Sequence, residues 1–294
     1  MKKATHIGLI GRNLIQLNIE MTKVHPPVTK ECFFHVDVQG RIYVGVNHAK
    51  GILFSIYDNQ SGWTQTEIPI QITYDEIALF QQCKENKYAM VYRGEDGWCL
   101  SIHTSTGKMI RSITLPLPLD IICWYLDERD LLWIGMGEES IFGDEGCECD
   151  SVYCYSLDGE LVFSGIDEDL SDMCAPNICE CYAIARKDGL MYVAYYPDLV
   201  IAAFDETSIK RVWVLNENSQ FDFGYGQLSI SREGFWLATD EHALYFVSHH
   251  VNEGMKQVKC CDISGKELHI HALKLTEKAI YAHTDTGIYQ YELQ

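Results

Sequence analysis

The sequence predicts an all-β, single-domain protein built as a closed ring of repeated sheets. Three observations predict it: a strand pattern recurring about every 45 residues, tight-turn signals between strands, and almost no helical periodicity. Six segments share one pattern, an apolar residue, an aromatic, then small and β-branched residues. They are RIYVGV (41–46), KYAMVY (87–92), LLWIGM (131–136), LMYVAY (190–195), GFWLAT (234–239) and AIYAHT (279–284). Their aromatics are Tyr43, Tyr88, Trp133, Tyr192, Trp236 and Tyr281, with successive spacings of 45, 45, 59, 44 and 45. The outlier exceeds the period by 14, and the 14-residue stretch GEESIFGDEGCECD at 137–150 follows the third aromatic; setting it aside restores the period. A period near 45 made of short strands is the mark of a β-propeller with four strands per blade. The chain therefore reads as one propeller domain over 1–294 with an acidic insertion at 137–150.

The elements of each repeat agree with this. Strand-like runs follow the aromatics, such as ILFSIYD (52–58), CLSIHTS (99–105) and SVYCYSL (151–157). They end in DNQSGW, STGKM, LDGEL and DISGKE, where Asp, Asn, Ser and Gly supply the positive φ that hairpins need. Many runs are apolar on both faces, as stacked blades require. In the fifth repeat, ALYFVSHH (243–250) reads either as a third strand or as half of a long hairpin before KQVKCCDISG. The chain ends just after GIYQYEL, so the last blade lacks its outer strand, and NLIQLNIE (13–20) is expected to supply it by pairing with the C-terminal strand. Six blades fit the length, with seven as the alternative count.

The segments GRIYVGV, DLLWIGM and GFWLAT resemble the D-x-x-G-x-aromatic-I-G repeats of two-component-regulator-type propellers. The hairpins SIYDNQSGW, SIHTSTGKM and CYSLDGELV resemble those of WD-repeat and quinoprotein-like propellers. The Gly-His and Trp-Asp signatures of true WD repeats and the kelch double glycines are missing. The resemblance covers nearly the whole chain and implies a propeller scaffold, a fold most often used for protein binding. It carries over no catalytic residue.

Charge is the next signal. The chain has 42 acidic and 23 basic residues, a formal charge of −19, which disfavours nucleic acid and anionic lipid as partners. From Asp130 to Ala185 there are 14 Asp or Glu and no Lys, Arg or His, leaving 28 acids against 23 bases elsewhere. Two clusters dominate: Glu138, Glu139, Asp144, Glu145, Glu148 and Asp150 in the insertion, then Asp167, Glu168, Asp169 and Asp172. One reading is a solvated loop that keeps the protein soluble. The other is an acidic docking surface for a basic protein, with Ile141 and Phe142 as apolar anchors among the charges.

The remaining candidates read as structural. Cys147, Cys149, Cys154, Cys174, Cys179 and Cys181 fall within 35 residues, but C-x-C and C-x4-C-x-C are not the paired C-x2-C knuckles of a zinc site. DEDLSD at 167–172 lacks the glycine and distal glutamate of a calcium loop. His249 and His250 adjoin, and His269 and His271 share one strand face with Cys260 and Cys261 near in sequence; these read as polar packing more readily than as a metal site. No metal and no cofactor is expected, and the thiols are expected to be reduced. There is no G-x-S-x-G, P-loop, dinucleotide fingerprint or H-E-x-x-H. The start of the chain lacks a signal-peptide pattern, and no apolar run reaches membrane-helix length. The expectation is a cytoplasmic, monomeric, non-enzymatic binding protein that docks a basic partner. Its sharpest form is an immunity-type inhibitor of a cationic, nuclease-like toxin. The alternatives are a small-ligand or enzymatic site in the central channel, and a scaffold subunit of a larger assembly.

Overall fold

The fold is that of a computed structural model. It describes residues 7–9, 15–25, 29, 31–118, 120–142, 150–166, 170–171, 175–197, 199–205, 208–214, 226–249 and 255–293. Three strands come first: β1 (Ile7–Leu9), β2 (Ile15–Glu20) and β3 (Thr22–His25). Six blades follow in chain order. Blade one holds β4 (Phe33–Val36), β5 (Ile42–His48), β6 (Gly51–Asp58) and β7 (Gly62–Ile68). Blade two holds β8 (Ile77–Cys83), β9 (Lys87–Gly94), β10 (Gly97–His103) and β11 (Met109–Thr114). Blade three holds β12 (Ile121–Leu126), β13 (Leu131–Met136), β14 (Val152–Ser156) and β15 (Leu161–Ser164). Blade four holds β16 (Glu180–Lys187), β17 (Leu190–Tyr196), β18 (Val200–Phe204) and β19 (Ile209–Val214). Blade five holds β20 (Gly226–Ile230), β21 (Gly234–Thr239), β22 (Leu244–Ser248) and β23 (Met255–Cys261). Blade six holds β24 (Ile270–Leu275), β25 (Ala279–Thr284) and β26 (Gly287–Glu292), with β3 as its outer strand.

The first strand of each blade lies nearest the axis, and each packs beside the next, with β24 beside β4 to close the ring. Six is therefore the blade count, and 243–250 contains the third strand of blade five. Strand direction alternates within a blade. The turns joining first to second and third to fourth strands thus open on one face of the disc, here the turn face. The turns joining second to third strands, and the connections between blades, open on the other, the connection face.

The six repeat aromatics all lie on second strands and pack into the clusters between blades; all are buried except Tyr192, which is half-buried. The turn before the aromatic explains the D-x-x-G/D spacing. Asp37 is buried; it accepts the backbone N–H groups of Gln39 and Arg41 and, at 2.8 Å, the Tyr43 hydroxyl. Ninety residues on, Asp127 repeats the arrangement, accepting the N–H groups of Arg129 and Leu131 and the Trp133 indole N–H at 3.2 Å. One carboxylate thus caps a tight turn and fixes the core aromatic. Gly107, at φ +83°, shows why such turns take glycine: a Cβ there would lie 1.9 Å from the Glu67 carbonyl oxygen of the neighbouring blade.

Ring closure differs from the expectation in which strand performs it. Residues 22–25, not 13–20, pair antiparallel with the C-terminal strand β26. Strand β2 instead runs parallel to β23 as a fifth strand of blade five, and β1 runs parallel to β19 of blade four. The reason lies at Met21, which is fully buried in the cluster between blades five and six and donates its N–H to the Cys261 carbonyl at 2.7 Å. The chain steps from one blade to the next at that plug, so only the residues beyond it reach the open edge of blade six. The N-terminal arm is a belt across three blade edges.

Candidate functional site

Two places concentrate the chemistry. The first is the connection face at blade three. The acidic insertion leaves β13 and returns at β14, and its first residues form a short helix, α1 (Glu138–Phe142). Asp120 pins that helix: its carbonyl accepts the Gly137 N–H and the Ser140 hydroxyl at 3.0 Å each, and its carboxylate accepts the Ser140 N–H. Glu138, Glu139 and Phe142 are exposed, Phe142 at 60%. Ile141 departs from the expectation of an apolar anchor at the tip. It is half-buried and packs against the cores on both sides of blade three, so part of the insertion is structural.

Asp150 is half-buried where the insertion returns; its N–H donates to the Tyr153 hydroxyl at 3.0 Å and its carboxylate lies against Gly165. Gly165 opens the second acidic connection and donates its own N–H to Val152. The end of the first acidic segment therefore lies beside the start of the second. Leu170, in the middle of the second one, is fully buried with Ile166 and Ile178, a core position hidden in the sequence by its charged neighbours. Asp144, Glu145 and Glu148 lie outside the described residues, as do Asp167, Glu168, Asp169 and Asp172. The second–third turns of blades two, five and six add Glu95 and Asp96, Asp240 and Glu241, and Asp285 to the same face. No helix among the described residues is long and apolar enough to cross a membrane.

Of the clustered cysteines, Cys154 and Cys181 are buried in the apolar core between blades three and four, where they pack as small hydrophobes. Cys147, Cys149 and Cys174 lie outside the described residues.

The second place is the axial channel, a cavity of about 510 Å³ lined by the first strands of all six blades. That volume lies within the range of small-ligand sites. Most of its polar groups satisfy one another. Gln81 bonds the His35 ring at 3.1 Å and the Leu126 carbonyl at 3.1 Å, Gln227 bridges Leu273 and Leu275, and Ser229 donates to the Thr276 carbonyl at 2.6 Å. Lys274 stands apart: its amine makes no hydrogen bond or ion pair with another described residue. Burial pushes the Lys274 amine down to about 8. Burial, reinforced by the Lys274 charge, lowers His35 to about 3, so its ring is neutral. Strand alternation, apolar on both faces, gave no sign of this lysine in the sequence.

A ring of six four-stranded blades around a lined axial channel defines the protein as a six-bladed β-propeller. The chain belongs to the YxzG family, whose model matches residues 152–291. It is 40% identical to the uncharacterized protein YxzG of Bacillus subtilis (strain 168) over 150 residues, 49% of this chain and 100% of that protein. Among solved structures it is similar to a catalytically inactive virginiamycin B lyase from Staphylococcus aureus with quinupristin. That similarity covers 94% of this chain and 100% of the other, at 9% identity and a TM-score of 0.51. It is also similar to a luciferin-regenerating enzyme, over 92% of each chain at 13% identity and a TM-score of 0.52. At such identities these likenesses show the fold alone.

Proposed function

We propose that the protein is a non-enzymatic, cytoplasmic and monomeric binding scaffold whose connection face docks a basic protein partner. The observation that carries this is the meeting of two acidic segments at Asp150 and Gly165, together with the exposure of Glu138, Glu139 and Phe142 where the first segment begins. Concentrated like charge on one face repels itself, and an opposite charge relieves that cost while steering encounter. Phe142 supplies an apolar contact that charge alone does not. In its sharpest form the partner is a cationic, nuclease-like toxin domain and this chain its immunity-type inhibitor. Nuclease domains are basic because their substrate is polyanionic, and an acidic inhibitor covers that same surface. The test is a pull-down from the native host followed by a salt titration of the purified complex. Association that slows steeply with salt supports the reading; a salt-independent rate sinks it.

Lys274 favours a second reading, a small anionic ligand held in the axial channel. An ammonium that forms no ion pair with a described residue in a half-dry channel gains most from a carboxylate or phosphate. A metabolite released from the purified protein on denaturation, and lost in Lys274→Met, would support it; no released species in native mass spectrometry would exclude it.

A further inference from the structure

We propose that His269, His271 and Asp285 form a binding site for a divalent transition metal of the zinc class on the connection face of blade six. Their ligand atoms all lie within 4.8 Å of one another. The His271 Nε2 is 2.8 Å from Asp285 Oδ1, and the His269 Nδ1 is 3.4 Å from Asp285 Oδ2. Ligand atoms about 2.1 Å from a tetrahedral ion stand roughly 3.4 Å from each other. The His269 separation already matches. The His271–Asp285 contact is at hydrogen-bond length and opens by about half an ångström when an ion replaces the shared proton, and a small swing of His269, whose side chain is 78% exposed, brings the two imidazoles to the same spacing.

The backbone explains how three residues from two strands converge. His269 immediately precedes β24 and Asp285 immediately follows β25, across from each other in the antiparallel register. The pairing steps from Ile270 opposite Thr284 to Ala272 opposite His283, so His271 is the extra residue of a β-bulge. Bulges re-aim a side chain, and they occur beside functional sites for that reason.

The same bulge recurs at the start of β8, β12 and β16, where the extra residues are Ala78, Ile122 and Tyr182. Blade six alone among these four places a metal-ligating side chain there. It departs from the repeat at a second position too. Two residues after the anchoring aromatic, blades one, three, four and five carry Gly45, Gly135, Ala194 and Ala238 and blade two carries Met90, whereas blade six carries a second imidazole, His283. The His283 ring meets the His271 ring edge to face at 5.7 Å and packs on Phe34 at 5.3 Å, which holds the bulged imidazole in place. An exposed His–Asp ion pair needs one imidazole, not two on one carboxylate backed by a third.

The donor set selects the metal. Two imidazoles and one carboxylate suit zinc, cobalt or iron, whereas calcium and magnesium take oxygen ligands throughout. Three protein ligands leave a coordination position open, the arrangement of sites that bind a further ligand at the metal. In the sequence, the candidates that lie near His269 and His271 are Cys260 and Cys261. Asp285 is separated from them by a hairpin and becomes a partner only through strand pairing.

The test is a Co²⁺ titration of the full, metal-free chain followed by visible absorption. The expected result is one equivalent bound, with the d–d bands of a four- or five-coordinate nitrogen and oxygen site. His269→Ala and Asp285→Asn should each weaken binding by about tenfold or more. Their metal-free melting temperatures should match wild type, since both side chains are substantially exposed. Three results overturn the proposal: no stoichiometric binding, an affinity within tenfold of wild type in either variant, or a thiolate-to-cobalt charge-transfer band, which would place the ion on cysteines.

Discussion

Replacing Lys274 by Met should make the protein more stable, and the size of the gain follows from the channel. The ordinary lysine value of 10.5 falls to about 8 in the folded state because burial penalises the ammonium. Every tenfold weakening of proton binding corresponds to about 1.4 kcal/mol against the charged form, so a dry channel would cost roughly 3 kcal/mol. The Lys274 side chain is half-buried in a cavity of about 510 Å³, which admits water and returns part of that penalty. We therefore expect a gain of about 1–2 kcal/mol at pH 7, a melting-temperature rise of a few degrees. The pH profile identifies the cause. The unfolded chain holds this proton up to about 10.5 and the folded chain only up to about 8. The penalty is thus complete below about pH 8, shrinks as pH rises and vanishes above about 10.5. Urea unfolding of both proteins from pH 7 to 10.5, followed by tryptophan fluorescence, should show the advantage of Lys274→Met fading across that window. A variant less stable than wild type at pH 7, or an advantage constant to pH 10.5, would refute the reasoning. Either would mean the amine is solvated or already paired.

Three further outcomes are expected. Asp127→Ala should cost about 3 kcal/mol in chemical denaturation, because it strands the Trp133 indole N–H and two backbone N–H groups around a buried site. Removing residues 1–25 should lower the stability of the whole ring, whereas removing 1–14 takes, among the described residues, the three-residue β1 from the edge of blade four and should cost far less. Equal melting temperatures for the two truncations would contradict the belt. Replacing Glu138, Glu139, Asp144 and Glu145 by Ser should leave the melting temperature within about a few degrees. The same variant should associate more slowly with its partner and show a flatter salt dependence; unchanged kinetics would locate the docking surface elsewhere.

What the sequence disclosed and what it hid separate along physical lines. The aromatics from Tyr43 to Tyr281 were legible because every second strand sits in the same environment between two blades, so one residue type recurs at one interval. The insertion was legible for the converse reason, as a break in that interval. The closing strand was placed one blade too early because edge pairing is made by backbone groups, which all residues share. NLIQLNIE and the residues after it look equally strand-like. Leu170 is hidden by acidic neighbours, and Ile141 reads as an exposed anchor, not as core, because a single core side chain in a charged run produces no period. Lys274 and the grouping of His269, His271 and Asp285 depend on which strands meet and where a bulge falls. Neither is encoded in local spacing.

The belt also sets the order in which the molecule can be made. During synthesis β1, β2 and β3 emerge ahead of the six blades, yet their partners β19, β23 and β26 belong to the fourth, fifth and sixth of them. All six blades must be made before the last of these pairs forms, so a segment made ahead of the blades is the last to dock. Contacts so distant in sequence are slow to form, and they leave blade edges open while they are awaited. In pulsed hydrogen exchange, the amides of blades one to three should gain protection early. Those of β3 and β26 should gain it together, in the final step.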